Sequence, residues 1–153
     1  MKELYELLLE KGYTIASCES LTGGLFAARM TEIPHVSQVL KGGIVSYWNE
    51  IKEHVVGVKK ETIDAYGVVS KQTAYEMALN VQQKFEVNVA VSFTGNAGPS
   101  TLEDKPAGLV YTCIMINGEA HPFCDLIEMP RNELRQEIIN RTVNRLKDIL
   151  RNS

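Results

Sequence analysis

Residues 13–30, YTIASCESLTGGLFAARM, set the architecture. The apolar run from Tyr13 to Ser17 reads as a buried strand. Leu25-Phe26-Ala27-Ala28-Arg29-Met30 reads as a helix that begins near Thr22 or Gly23. Between them stand Glu19, Ser20, Thr22, Gly23 and Gly24. A helix start needs one Ser or Thr as cap. A Glu-Ser pair, a further Thr and two glycines exceed that need, so this junction between strand and helix is a candidate site.

Further elements follow on both sides. Leu4, Leu7 and Leu8 recur at helical spacing before it, with Gly12 as C-cap. After it, Gly42-Gly43 leads into Ile44–Trp48, a second strand, and Asn49 is expected to cap a short helix ended by Gly57. Lys60–Tyr66 makes another short helix. Ser70 and Thr73 open a longer one, whose apolar face holds Ala74, Met77, Ala78, Val81 and Phe85. Val87–Phe93 is a buried strand running into TGNAGP, Thr94–Pro99. Ala107–Ile116 and His121–Met129 flank Asn117-Gly118, a hairpin signal. A long final helix buries Leu134, Ile138, Ile139, Leu146, Ile149 and Leu150. Helices alternating with strands predict a layered α/β fold, and the hairpin makes its sheet mixed. The chain is expected to be one domain, residues 1–153.

Composition narrows the function classes. The 153 residues carry a formal net charge of -3, without the basic excess of a nucleic-acid binder. No apolar stretch approaches the roughly 20 residues of a membrane span, and the N-terminus has no signal-peptide core, so a cytoplasmic protein is expected. Cys18, Cys113 and Cys124 have neither disulfide nor zinc spacing. Cys18 reads as a small buried residue at a strand end.

In open α/β sheets, ligands bind beyond the carboxyl ends of strands. Three polar clusters directly follow predicted strands: Glu19–Gly24, Tyr47–Lys52 and Thr94–Pro99. One pocket lined by all three is the expectation. Ser20 reads either as a helix cap or as a nucleophile whose oxyanion would lie against the amides of Thr22 to Gly24. A nucleophilic serine needs a base. His35, His54 and His121 lie outside the glycine motifs. Lys52 reads either as a solvated helix lysine or as that base, since a lysine shielded from water loses its proton more readily. Tyr47 stands at the same strand end, placed to relay a proton or hold the amine. Thr94, Gly95 and Gly98 make a turn able to aim amides at a ligand, or an ordinary glycine turn. Arg131 and Arg135 open the last helix as phosphate candidates or as exposed residues.

Taken together, SCESLTGGLFAARMTEIP, GGIVSYWNEIKEHVVGV, YGVVSKQTAYEMA, AVSFTGNAGP and KPAGLVY resemble, in order and spacing, the CinA C-terminal domain family of nicotinamide-nucleotide amidases. The resemblance runs from Tyr13 to about Tyr111. It implies a three-layer α/β/α sandwich around a mixed sheet. It also implies hydrolysis of the carboxamide of nicotinamide mononucleotide (NMN) to nicotinate mononucleotide and ammonia, without metal or cofactor. By the same resemblance, Ser20 is the nucleophile, Lys52 its base and Tyr47 their neighbour. Thr22, Gly23, Gly24, Thr94, Gly95, Gly98 and Arg131 then bind substrate. A homo-oligomer is expected by analogy, with no nucleic-acid or membrane partner and without the extra N-terminal pyrophosphatase domain of longer members. Three positions depart from the family pattern. Leu21 replaces a cysteine, Ser100–Asp104 replaces a glycine-rich loop, and Met129-Pro130-Arg131 replaces Gly-Asp-Arg. The acidic pair Glu103-Asp104 therefore stands where a phosphate is expected to bind. Rival readings are an amidase for another small amide, or a non-catalytic nucleotide-binding module. A partner of the DNA-uptake machinery has only the family's historical name in its favour.

Overall fold

A computed structural model describes residues 1–153. Its elements run α1 (Lys2–Lys11), β1 (Ile15–Glu19), α2 (Leu25–Met30), β2 (Leu40–Val45), α3 (Asn49–Ile51, continuing as a π turn over Lys52–Val56), α4 (Lys60–Tyr66), α5 (Lys71–Phe85), β3 (Val89–Gly95), β4 (Leu109–Ile116), β5 (Glu119–Leu126) and α6 (Arg131–Arg151). The five strands form one sheet in the order β2-β1-β3-β4-β5. β1 pairs in parallel with both β2 and β3, whereas β4 runs antiparallel to β3 and β5. The sheet is mixed, as the Asn117-Gly118 hairpin implied. Both turn residues have positive φ, 47° and 85°, which matches the right-handed twist of the paired strands.

Strand alternation sends apolar side chains to two faces. On one face Ile15, Val89, Val91, Phe93, Val110 and Ile114 pack under α1, α2 and α6. On the other, Ala16, Cys18, Ala90, Cys113 and Met115 meet Ala74, Met77, Ala78 and Val81 of α5. This is the expected three-layer sandwich. Beyond the hairpin, Asp125 on β5 is held by Arg145 through two bonds of 2.7 Å and by Arg141 at 3.1 Å, which ties the edge strand to α6.

Element boundaries moved where tertiary contacts outweighed local pattern. β1 extends to Glu19 rather than ending at Ser17, since Cys18 and Glu19 pair with β2 and β3 on both sides. Thr22 and Gly23 form a turn, and α2 begins at Leu25. Gly42 and Gly43 lie inside β2 instead of before it. A Cβ at Gly43 would stand 2.6 Å from the Ser17 hydroxyl, so β2 approaches β1 only through glycine. Ser46, Tyr47 and Trp48 fall beyond the strand, and Asn49 makes no side-chain cap. Ser70 does cap α5, accepting the Thr73 amide.

Gly108 closes the loop that returns from β3 to β4. Its φ is +90°, its amide donates to the Asn96 carbonyl at 2.7 Å, and a Cβ there would land on the Ile127 carbonyl oxygen. Gly108→Ala is expected to cost about 2–4 kcal/mol, combining a left-handed residue with a backbone clash. Urea denaturation measures this as a lowered midpoint at unchanged slope.

Candidate active site

The parallel strands β1, β2 and β3 end side by side, and the three polar clusters leave from those ends. Ser20 continues β1 by one residue, donating its amide to the Phe93 carbonyl at 3.0 Å. Before it, Glu19 is 1% exposed. Its carboxylate accepts the amides of Phe26 at 2.8 Å and Ala27 at 3.1 Å, and the Ser17 hydroxyl at 3.1 Å. The first turn of α2 is thus capped by the chain's own carboxylate. The glycine cluster does not present an open helix terminus to a ligand. The Gly23 amide is also engaged, donating to the Ser20 carbonyl at 2.9 Å. What remains in the turn are the amides of Leu21, Thr22 and Gly24, which have no acceptor within the chain; the first two follow the serine directly.

Lys52 reaches this serine from the first residue of the π turn. Its side chain is 1% exposed. Its Nζ donates to Ser20 Oγ at 3.1 Å, to the Ser46 carbonyl at 2.9 Å and to the Tyr47 carbonyl at 3.3 Å. None of these three oxygens carries a formal charge. Burial therefore dominates and lowers the lysine pKa from 10.5 to about 8, against weak opposing pulls from Cys18 and Glu103. The arrangement is a serine hydroxyl in contact with an amine that is readily neutral. Cys18 lies behind it as a buried, protonated thiol. Burial raises its thiol to about 11, although the Ser46 hydroxyl lies 3.7 Å from its sulfur.

A pocket of about 220 Å³ opens onto this pair, lined by residues from all three clusters, including Ser20, Tyr47, Lys52, Thr94, Gly95 and Arg131. Leu21, Val68, Val69 and Ala97 form its apolar wall. A larger groove of about 700 Å³ lies along α4 and α5 and contains none of these residues. Thr94 donates its hydroxyl to the Val68 carbonyl at 2.7 Å. The Tyr47 phenol does not meet the lysine amine. It accepts from Arg131 at 2.9 Å, and the tyrosine serves Lys52 through its backbone carbonyl instead. Arg131 also donates to the Gly98 carbonyl at 2.8 Å. Gly98, Thr22, Gly23 and Gly24 are not among the lining residues. Gly98 shapes the loop, and the Thr22 side chain is buried with an unpaired hydroxyl. Arg135 faces the turn after Ser20, donating to the Leu21 carbonyl at 3.0 Å and the Thr22 carbonyl at 2.9 Å.

The loop 100–104 holds the largest surprise. Glu103 does not stand in the pocket as a repelling charge. It accepts the amides of Val68 at 2.7 Å and Val69 at 3.0 Å and pairs with Lys105 at 3.2 Å. Burial pushes its carboxyl up, but those amides and the ammonium outweigh it and hold the pKa below the ordinary value. Gly67 leaves the space that the carboxylate fills. Asn96, 3% exposed, binds the Leu102 amide and the carbonyls of Leu102 and Lys105, folding the rest of the loop. Glu19, Ser46, Asn96 and Glu103 were not singled out from the sequence as structural parts of the site. Glu19, Asn96 and Glu103 bind backbone atoms and Ser46 acts through its own carbonyl, which leaves no side-chain spacing to read. The glycine at 67 was the one available signal, since it stands opposite an acidic loop.

The CinA C-terminal domain family profile matches residues 1–150. The chain belongs to the CinA family. A competence-damage inducible protein of Clostridium acetobutylicum is 44% identical over 95% of the chain. The chain spans about a third of that relative's length, 34%. A protein of Mycoplasma pneumoniae is 39% identical, with 95% of this chain and 93% of the relative covered. Among solved structures, the competence/damage inducible protein CihA of Agrobacterium tumefaciens superposes with a TM-score of 0.88 at 33% identity, covering 97% of this chain and 96% of the other. The competence or damage-inducible protein of Enterobacter asburiae superposes with a TM-score of 0.95 at 25% identity, covering 97% and 94%. The CinA family fold is therefore established for this chain. No helix of the structure is long and apolar enough to cross a membrane.

The buried lysine makes stability depend on pH. Its folded pKa of about 8 lies below the unfolded value near 10.4, so the unfolded chain binds more protons between those values. Stability contributed by the neutral amine is therefore lost as pH falls toward 8. Relative to Lys52→Met, the wild-type protein is expected to gain about 2–3 kcal/mol from pH 7 to pH 10.5. Urea titrations of both proteins at the two pH values check this. A parallel pH response of wild type and variant contradicts the buried, neutralising lysine.

Proposed function

We propose that the chain is a serine–lysine amidase hydrolysing the carboxamide of NMN to nicotinate mononucleotide and ammonia. The observation that carries this reading is the 3.1 Å contact between Lys52 Nζ and Ser20 Oγ, made by an amine with no counter-ion and almost no solvent. An amine in that setting has one chemical use that an exposed lysine lacks: it accepts a proton near neutral pH.

Neutral Lys52 takes the hydroxyl proton as Ser20 Oγ attacks the carboxamide carbon. The carbonyl oxygen becomes an oxyanion, for which the unpaired amides of Leu21 and Thr22, the two that follow Ser20, are the donors this reading assigns. Lys52, now an ammonium held by the Ser46 and Tyr47 carbonyls, protonates the departing nitrogen, and ammonia leaves. Water, deprotonated by the same amine, then cleaves the acyl ester and restores Ser20. The pyridine ring suits the apolar wall of Leu21, Val68, Val69 and Ala97. Arg131 uses two of its five N–H donors within the chain and keeps the others for a phosphate. Thr94 and Gly95 close the floor of the pocket beside Ser20. Supporting the substrate assignment are the family membership and the displacement of Glu103 from the pocket onto the Val68 and Val69 amides.

Ser20→Ala is expected to lower NMN turnover at least about a thousandfold, followed as ammonia release, and Lys52→Met comparably. Wild-type rates from Ser20→Ala would refute the nucleophile. NMN bound by the wild-type protein without turnover would point to a nucleotide-binding module instead. A panel with nicotinamide and nicotinamide riboside separates NMN from other small amides. Below the lysine pKa of about 8, kcat/KM should rise about tenfold per pH unit, levelling above it. A flat profile from pH 6 to 9 with chemistry rate-limiting would remove Lys52 as base.

A further inference from the structure

Arg135 was legible as a phosphate candidate, yet its guanidinium is turned onto the backbone. Its Nε donates to the Leu21 carbonyl at 3.0 Å, a second nitrogen to the Thr22 carbonyl at 2.9 Å and the third to Asn132 Oδ1 at 3.3 Å. Gly23 admits the guanidinium, since even a methyl there would stand 3.3 Å from it. These bonds form two short chains that start at one fixed positive charge. In the first, the guanidinium binds the carbonyl of the Leu21–Thr22 peptide, whose opposite end is the Thr22 N–H. In the second, it binds the carbonyl of the Thr22–Gly23 peptide. The Gly23 N–H of that peptide then donates to the Ser20 carbonyl at 2.9 Å, and the opposite end of the Ser20–Leu21 peptide is the Leu21 N–H. A trans peptide is planar, with its N–H and C=O pointing in opposite directions. Both chains therefore end on the first two of the three amides after Ser20 that have no acceptor in the protein, those of Leu21 and Thr22 and not that of Gly24.

We infer that Arg135 is a positioning residue for the oxyanion donors: it fixes and polarises the Leu21 and Thr22 amides through the peptides that carry them, without touching substrate. Hydrogen bonds in series strengthen one another, and a charged donor at the head of the series does so more than a neutral one. The effect is largest when the acceptor at the far end carries a full negative charge, as in the transition state. This inference rests on the serine–lysine amidase reading for its chemistry, but it concerns Ser20 reactivity toward any electrophile that becomes anionic there.

The test compares wild type, Arg135→Gln and Arg135→Lys in two assays. The first is ammonia release from NMN with kcat and KM separated. The second is covalent labelling of Ser20 by a fluorophosphonate, read by intact-protein mass spectrometry. In the labelling reaction the Oγ–P bond forms, fluoride leaves and Lys52 takes the proton, so its rate needs the amides and the base but no substrate recognition. For Arg135→Gln, kcat and the labelling rate are expected to fall together by about 10- to 100-fold, with KM within about twofold. Arg135→Lys, which keeps a charged donor for one of the two carbonyls, is expected between the two. The apparent pKa of the rate profile should stay near that of wild type, because the Ser20–Lys52 pair is untouched. Raised KM at unchanged kcat and unchanged labelling would make Arg135 a substrate ligand and overturn the inference. So would a displaced pKa, which would mark a general loosening of the site. If Arg135→Gln does not fold, the Lys variant decides, and wild-type labelling by it counts against the inference. If wild type labels at Ser20 but releases no ammonia from NMN, the substrate reading fails while the labelling ratio still judges Arg135.

Discussion

Everything distinctive about this structure follows from the burial of one lysine amine against one serine hydroxyl. An ammonium removed from water is costly unless it is paired, and Lys52 has no carboxylate partner. It has only two backbone carbonyls and the Ser20 hydroxyl. Such an environment tolerates the charge but favours its loss. The surroundings are built to impose that condition. β2 ends at Val45, which frees the carbonyls of Ser46 and Tyr47 from strand pairing and turns them toward the amine. The π turn from Lys52 to Val56 begins at the buried lysine, and Gly57 ends it in the left-handed region.

The same constraint explains why so many polar side chains near the pocket bind backbone rather than ligand. In the proposed reaction, an amine and a hydroxyl held 3.1 Å apart are useful only if the loops bearing them do not drift. Glu19 locks the start of α2, and Glu103 locks the Val68-Val69 wall. Asn96 folds the loop after β3, and Arg131 ties Gly98 to Tyr47 across the pocket mouth. These groups convert glycine-rich and irregular segments into fixed walls. Flexible glycines at Gly23 and Gly67 are retained where a guanidinium or a carboxylate must come close to the main chain.

Much of this was readable in advance, for identifiable reasons. Asn117-Gly118 specified a hairpin because few dipeptides accept two successive positive φ values. Ser70 specified a helix start because its hydroxyl reaches the Thr73 amide three residues on. Both are local effects, complete within a few residues. The convergence of Glu19–Gly24, Tyr47–Lys52 and Thr94–Pro99 was also legible, since parallel strands must deliver their carboxyl ends to one edge. Glu103 in the loop misled for the opposite reason. Charge is visible in a sequence, but the amides that neutralise it lie 34 and 35 positions away. The phenol of Tyr47 turned toward Arg131, 84 positions distant, rather than toward its neighbour in the chain.

The sequence by itself determined the layered α/β class, the mixed sheet, the capped start of α5 and the set of residues able to do chemistry at the strand ends. Those properties depend on side-chain periodicity, turn chemistry and residue type, which act over short stretches of chain. Only the tertiary structure decided that Lys52 is dry, that Glu103 and Glu19 face inward onto amides, and that Arg135 grips the turn after Ser20. Solvent exclusion and the direction of a hydrogen bond are properties of what packs around a group. In this fold the decisive neighbours of Lys52, Glu103 and Arg135 include residues 32, 35 and 114 positions away, and even the near partners of Glu19 reach it only through the turn before α2.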